Sequence, residues 1–232
     1  MAGMATHVIT GAGSGIGSAV ARRLHARGDD LVLHARDAGR AKELSAEFPG
    51  ATTLVGDLAE PDRLSWAFSH QSLPDRVDSL LHIAGVVDLG TVDELTPRSW
   101  HHQLNVNLVA PAELTRHLLP QLRAARGHVV FVNSGAGLAA HAQWAAYAAS
   151  KHGLKALADS LRQEEHVNGV RVTSVYPGRT ASPMQAKVHQ QEGKRYDPSQ
   201  WIDPESVATT ILTAIDLPKD AELNDVTIRP GS

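Results

Sequence analysis

Short apolar and β-branched runs recur along the chain: "HVIT", "LVLHA", "TTLV", "SLLHI", "HVVFV" and "VRVTSVY". Each has the length of a strand buried on both faces, and none alternates strictly enough for a sheet with one wet face. The stretches between them carry helical spacing and helical punctuation. Asp37 stands where it can cap "AGRAKELSAEF", and Pro61 opens "PDRLSWAF" at a first-turn position that tolerates proline. Strand and helix in alternation predict an α/β protein: a doubly wound parallel sheet with helices on both faces. At 232 residues, with no internal repeat or low-complexity linker, one domain over 1–232 is expected. The polar, proline-punctuated "EGKRYDPSQWIDPE", residues 192–205, reads as a mobile segment, and the region 182–203 is a candidate substrate lid.

Composition narrows the function classes. A net charge of -3 lacks the basic footprint that nucleic-acid binding leaves, so neither DNA nor RNA is expected as a partner. The chain has no cysteine, which excludes disulfides, thiolate metal sites and thiol nucleophiles and suits a reducing compartment. Its start, "MAGMATHVIT", reads as neither a charged leader nor a signal segment, and no apolar run reaches membrane-spanning length. A cytoplasmic protein without a membrane partner is the expectation. Thirteen histidines invite a metal reading, yet "HH" at 101 and 102 diverges on a helix and no H-E-x-x-H pattern occurs. No metal site is expected.

The first strand runs directly into "TGAGSGIG", residues 10–17, and then into helical "SAVARRLHARG". Glycine at such a turn tolerates positive φ and lets a diphosphate approach the backbone, while the helix N-terminus favours negative charge. Gly11, Gly13, Ser14, Gly15, Ile16 and Gly17 are therefore candidate phosphate contacts. Ile16 occupies the last glycine position of G-x-G-x-x-G, so the literal fingerprint fails. Taken alone, a tight turn without a ligand is the alternative.

With Thr10, Gly11, Gly15 and Gly17, the loop resembles the T-G-x-x-x-G-x-G pattern of the short-chain dehydrogenase/reductase family. The likeness continues in order through "GDL", Ala84-Gly85, "NVNL", Ser134, "YAASK" and "YPGRTASPM". It implies a Rossmann fold and a role for Asp57 beside adenine, with Leu58 next to it. It also implies cofactor roles for Ala84, Gly85, Pro177, Gly178 and Thr180. Asn107 would be the family's catalytic asparagine, anchoring a water that links Lys151 to solvent. Two departures stand out: His82 and Ile83 replace the asparagines of N-N-A-G, and Ser182 stands where threonine is usual. Homodimers or homotetramers are common on this fold.

Within "WAAYAASKHGL", Tyr147 and Lys151 sit four residues apart and share one helix face. A packed ring beside a solvated amine is the ordinary meaning of that spacing. After the glycine loop it reads instead as a proton-transfer device. Free tyrosine titrates near ~10, so acting close to neutrality calls for a fall of roughly 2 to 3 pH units, which a neighbouring ammonium, helped by an oxidised nicotinamide, can supply. Ser134, at the end of "HVVFVNS", is placed to hydrogen-bond a substrate carbonyl. Tyr147 and Lys151 also count as cofactor contacts.

Dinucleotide choice is read at the end of the second strand. Ala35 replaces the acid that accepts both ribose hydroxyls, and Arg36 follows it, a residue suited to a 2′-phosphate. NADP(H) is favoured and NAD(H) is possible, with Asp37 as the competing acid. The expected activity is hydride transfer between nicotinamide and a small-molecule carbonyl or secondary alcohol, with Tyr147 as general acid/base. The competing class is a non-catalytic dinucleotide-binding sensor or scaffold, which has no need of the proton relay. A methyltransferase on a similar loop leaves Tyr147 and Lys151 unexplained.

Overall fold

The structure is a computed structural model that describes residues 4–231. Positions 1–3 of the start "MAGMATHVIT", and position 232 of the single unit read over 1–232, lie outside the described residues. The strands are β1 (Thr6–Thr10), β2 (Asp30–Ala35), β3 (Thr52–Val55), β4 (Ser79–His82), β5 (His128–Val132), β6 (Arg171–Pro177) and β7 (Asp225–Ile228). They form one parallel sheet in the order β3-β2-β1-β4-β5-β6-β7. The chain leaves β1 in one direction towards β3 and returns on its other side to β4. That reversal opens a crevice beyond the carboxyl ends of β1 and β4, the place where such sheets bind ligands.

Adjacent apolar residues along each strand serve opposite faces, which is why the sequence shows runs rather than alternation. Ile9, Leu33, Leu81 and Val130 pack with α1 (Gly15–Ala26), α2 (Ala38–Glu47) and α8 (Pro204–Asp216). Val8, Val32, Leu80 and Val129 pack on the other side with α3 (Pro61–Ser69), α5 (Ala110–Ala125) and α6 (Ala145–Glu165). Phe131 is fully buried in this second layer, where its truncation to alanine would cost about 3–5 kcal/mol. Two shorter helices are α4 (Pro97–Leu104) and α7 (Pro183–Gln191), the second of which lines the crevice.

The helix punctuation works as read. Asp37 accepts a 2.8 Å bond from the Arg40 amide as the cap of α2, and Pro61 occupies the first turn of α3. Asp37 is therefore engaged as a cap. The expected six strands are all present, but β7 is an addition to them. Its sequence, "DVTI", is only four residues long and half-exposed on the sheet edge, so neither length nor hydrophobicity marked it out. Buried Arg171 holds the neighbouring end of α8, donating to the carbonyls of Ile215, Leu217 and Ala221.

Candidate active site

Five strand ends surround one cleft of about 800 Å³. Gly11 follows β1, Ala84 and Gly85 follow β4, and Ser134 follows β5. Pro177 and Gly178 belong to the end of β6, and Arg229 follows β7. Tyr147 and Lys151 line the same cleft from α6, so the helix does present the pair together.

The loop after β1 is shaped for close approach. Gly11 has φ +77° and stands so near β4 that a Cβ would meet the Ala84 nitrogen at 2.8 Å; one on Gly17 would lie 2.0 Å from the Gly11 carbonyl oxygen. Thr10 fixes this junction from beneath, its hydroxyl oxygen accepting from the Ile83 and Ala84 amides at 3.0 and 3.1 Å. Ser14 precedes α1 without a side-chain cap, so the first-turn amides of that helix face the cleft uncapped by the protein. Ser14, Gly15, Ile16 and Gly17 line the cleft with Gly11. A cradle that any side chain would fill, joined to a long cleft, fits a dinucleotide.

The replacement of both asparagines is now interpretable. His82 points into the second layer, stacks on Phe131 at 4.9 Å and shares a 2.9 Å hydrogen bond with Thr115. Burial pushes its pKa down to about 3, with the nearby charges of His34 and Lys151 acting in the same direction. It is a neutral packing residue. Ile83 lines the cleft and packs against the first layer. The main chain of 83–84 is held by Thr10 in place of the missing amides.

Asn107 lies in a single π-helical turn, Asn105–Val109, between α4 and α5. It is fully buried, accepts from the Val86 amide (2.8 Å), and donates to the Val86 carbonyl (2.9 Å) and to Ser150 (3.0 Å). It thus holds the strand end after Gly85 against α6, behind the cleft rather than in its wall. Thr180 faces the cleft and pairs with Ile202, while Ser182 caps α7. The expected lid region 182–203 contains α7, is bridged by Tyr196 to the Ser182 amide at 3.1 Å, and packs the His189 ring at a tilt against both Tyr196 and Trp201. Met184 and Val188 of α7 face the cleft, as do His141 and Trp144 before α6.

Electrostatics correct one expectation. Lys151 is buried, and its Nζ donates to the Val132 carbonyl at 3.0 Å, 5.9 Å from the Tyr147 ring centre. Burial lowers its pKa to about 8. The Tyr147 phenol moves upward, not downward: removal from water raises it, and the Ser134 hydroxyl only partly opposes this. At neutral pH the site therefore holds a neutral phenol and an ammonium. Trp144 meets the Tyr147 ring edge-on at 5.7 Å and closes one side.

The adenosine-side predictions are more scattered. Gly13, Arg36, Asp57 and Leu58 lie outside the lining of the cleft. Leu58 is buried in the second layer, and Asp57 accepts from the Ala59 amide at 2.9 Å. Arg36 is exposed and reaches Asp37 at 3.1 Å. One residue was missed: Arg40 of α2 lies across the loop so closely that a Cβ on Gly13 would be 1.4 Å from its Nη2. A basic residue in the first turn after β2 was the available signal. Among the described residues, no cluster of histidine and acidic side chains could hold a metal ion. Also among them, no helix is long and apolar enough to cross a membrane.

A crevice at a strand-order reversal, a glycine cradle and a tyrosine-lysine face define a Rossmann-type dinucleotide-binding oxidoreductase. The short chain dehydrogenase family model matches residues 5–193. Dehydrogenase/reductase SDR family member 7B from Bos taurus is 34% identical over 90% of this chain and 69% of its own. SDR family member 11 from the same organism is 31% identical over 96% of this chain and 94% of its own. A metagenomic short-chain oxidoreductase solved in complex with NADP superposes with a TM-score of 0.77 at 30% identity, covering 98% of this chain and 97% of that one. The chain belongs to the short-chain dehydrogenase/reductase family.

Proposed function

We propose that the protein is an NADP(H)-dependent oxidoreductase acting on carbonyl or secondary-alcohol groups, with Tyr147 as its general acid/base. The observation that carries this reading is the shared face of Tyr147, Lys151 and Ser134 at the wall of a cleft that continues into the glycine cradle. Gly11, Ser14, Gly15, Ile16 and Gly17 would hold the diphosphate, and Ala84, Gly85, Pro177, Gly178 and Thr180 would line the path to the nicotinamide. When bound, the nicotinamide supplies or accepts the hydride. Ser134 holds the substrate oxygen by a hydrogen bond, and Tyr147 delivers a proton to that oxygen as negative charge grows on it. The raised phenol keeps the proton available, and buried Lys151 places positive charge behind it.

Arg36 and Arg40 support NADP(H), because the Arg40 guanidinium lies against Gly13, Arg36 directly follows β2, and no acid stands at Ala35. The NADP in the metagenomic relative is in keeping with this choice. A cytoplasmic location and a homodimer or homotetramer belong to the same proposal; they rest on the cysteine-free composition and on family likeness. The test is a panel of aldehydes, ketones and secondary alcohols, followed by nicotinamide absorbance with NADPH and NADH in parallel. Turnover that favours NADPH is expected. Tight NADPH binding with no turnover across the panel would instead support a dinucleotide sensor.

A further inference from the structure

Arg229 follows β7 and stands, exposed, on the rim of the cleft. Its Nη1 donates to the carbonyls of Tyr176 (3.0 Å) and Ile228 (3.1 Å), which fix the guanidinium without a carboxylate. A Cβ on Gly135 would lie 3.6 Å from Nη2, so the free edge of the group lies over the residue next to Ser134. Because Gly135 has no side chain, nothing separates that edge from the cleft at this point.

The charges around the cleft set Arg229 apart. Arg179 is held by Glu192 through two bonds, one of 2.9 Å, and Lys194 reaches the same carboxylate at 3.3 Å. Lys151 is buried against Val132 and serves Tyr147. Among the described residues, no carboxylate lies within ion-pair distance of Arg229. The nearby walls are apolar or aromatic, with Leu138, Ala139, Trp144 and Val188 among them. A guanidinium oriented by main-chain oxygens, with its free edge beside the residue that binds the substrate oxygen, is suited to a second, anionic group on the same molecule.

We infer that the substrate is an oxo acid or hydroxy acid, whose carboxylate Arg229 binds while Ser134 and Tyr147 hold the reacting oxygen. The inference rests on the proposed oxidoreductase function. The cofactor diphosphate is not the anion: its cradle follows β1, whereas the Arg229 guanidinium lies over Gly135 after β5, two strand steps or about 10 Å across the sheet.

The test compares short 2-oxo, 3-oxo and 4-oxo acids with their methyl esters, using NADPH and the wild-type, Arg229→Gln and Arg229→Lys proteins. The wild type should prefer at least one acid over its ester by tenfold or more in kcat/KM, chiefly through KM. Arg229→Gln should remove that preference, and Arg229→Lys should restore part of it. Equal use of acids and esters by the wild type would overturn the inference while leaving the oxidoreductase reading intact. So would an Arg229→Gln protein that loses acids, esters and NADPH affinity alike, the mark of a clamp on β6 and β7 alone. If nothing is reduced here, and nothing turns over in the panel of aldehydes, ketones and secondary alcohols, the oxidoreductase reading fails. Calorimetric titration of the same acids into wild type and Arg229→Gln with NADP present then decides the Arg229 site: binding weakened tenfold or more supports it, and equal binding overturns it.

Discussion

The two ends of the cleft solve opposite problems. At the β1 end, recognition is built from backbone: a loop with almost no side chains, uncapped amides, and cationic groups added from α2 and its approach. At the β5 end it is built from buried side chains, with Tyr147, Lys151 and Asn107 each removed from water and each held by named partners. Backbone recognition fails when volume is added, whereas side-chain chemistry fails when a functional atom is removed. Substitutions should therefore separate the two ends cleanly.

The largest effect belongs to Tyr147, the proposed proton donor. Tyr147→Phe should lower turnover by about 10²–10⁴-fold, with NADPH affinity changed far less, as single-turnover kinetics and fluorescence titration would show. Comparable turnover in that variant would remove the phenol from the mechanism. Gly17→Ala tests the other end: a methyl placed 2.0 Å from the Gly11 oxygen should weaken NADPH binding at least tenfold and lower the melting temperature. Smaller again, Arg36→Ala and Arg40→Ala should each raise the KM for NADPH several-fold and leave that for NADH nearly unchanged. Equal effects on both dinucleotides would break the assignment of a 2′-phosphate site.

Two pH responses sharpen the contrast. Lys151 titrates at about 8, below its ordinary value, so reductive turnover should decline as pH rises through that point and its ammonium discharges, while the raised phenol still keeps its proton. A pH profile flat to 10 would count against an acting ammonium. His82 and His128 are held neutral with pKa values of about 3, whereas in the unfolded chain they take up protons near 6.5. Their contribution to stability is complete above about pH 6.5 and is lost as pH falls towards 3, by about 1.4 kcal/mol per pH unit for each within that window. Denaturant titrations at pH 7 and 5 should show the loss, and His128→Gln should flatten the slope.

The glycine loop was legible in the sequence because its requirement is local: a strand, glycines at fixed offsets and a helix start lie within one short segment. Tyr147 and Lys151 were legible as a pair for the same reason, being one helical turn apart. Arg229 was not, because it is fixed by main-chain oxygens and lies over Gly135, distant in sequence; Arg40 left only a basic residue in the first turn of α2, whose approach to Gly13 the chain order does not show. The direction of the Tyr147 shift was misjudged since a sequence shows the neighbouring cation but not the depth of burial that outweighs it. His82 shows the converse: read as a lost hydrogen-bonding group, it proves to be a ring stacked on Phe131, an environment that only the sheet assembles.

The widened turn at Asn105–Val109 acts as a spacer inside what would otherwise be one straight rod from Pro97 to Ala125. Shortening it by a single residue would allow regular winding through this stretch and swing everything on one side by about 100° relative to the other. Asn107 could then no longer clasp the main chain of Val86, and the wall of the crevice would come loose from its hinge post without any change to a residue that touches substrate.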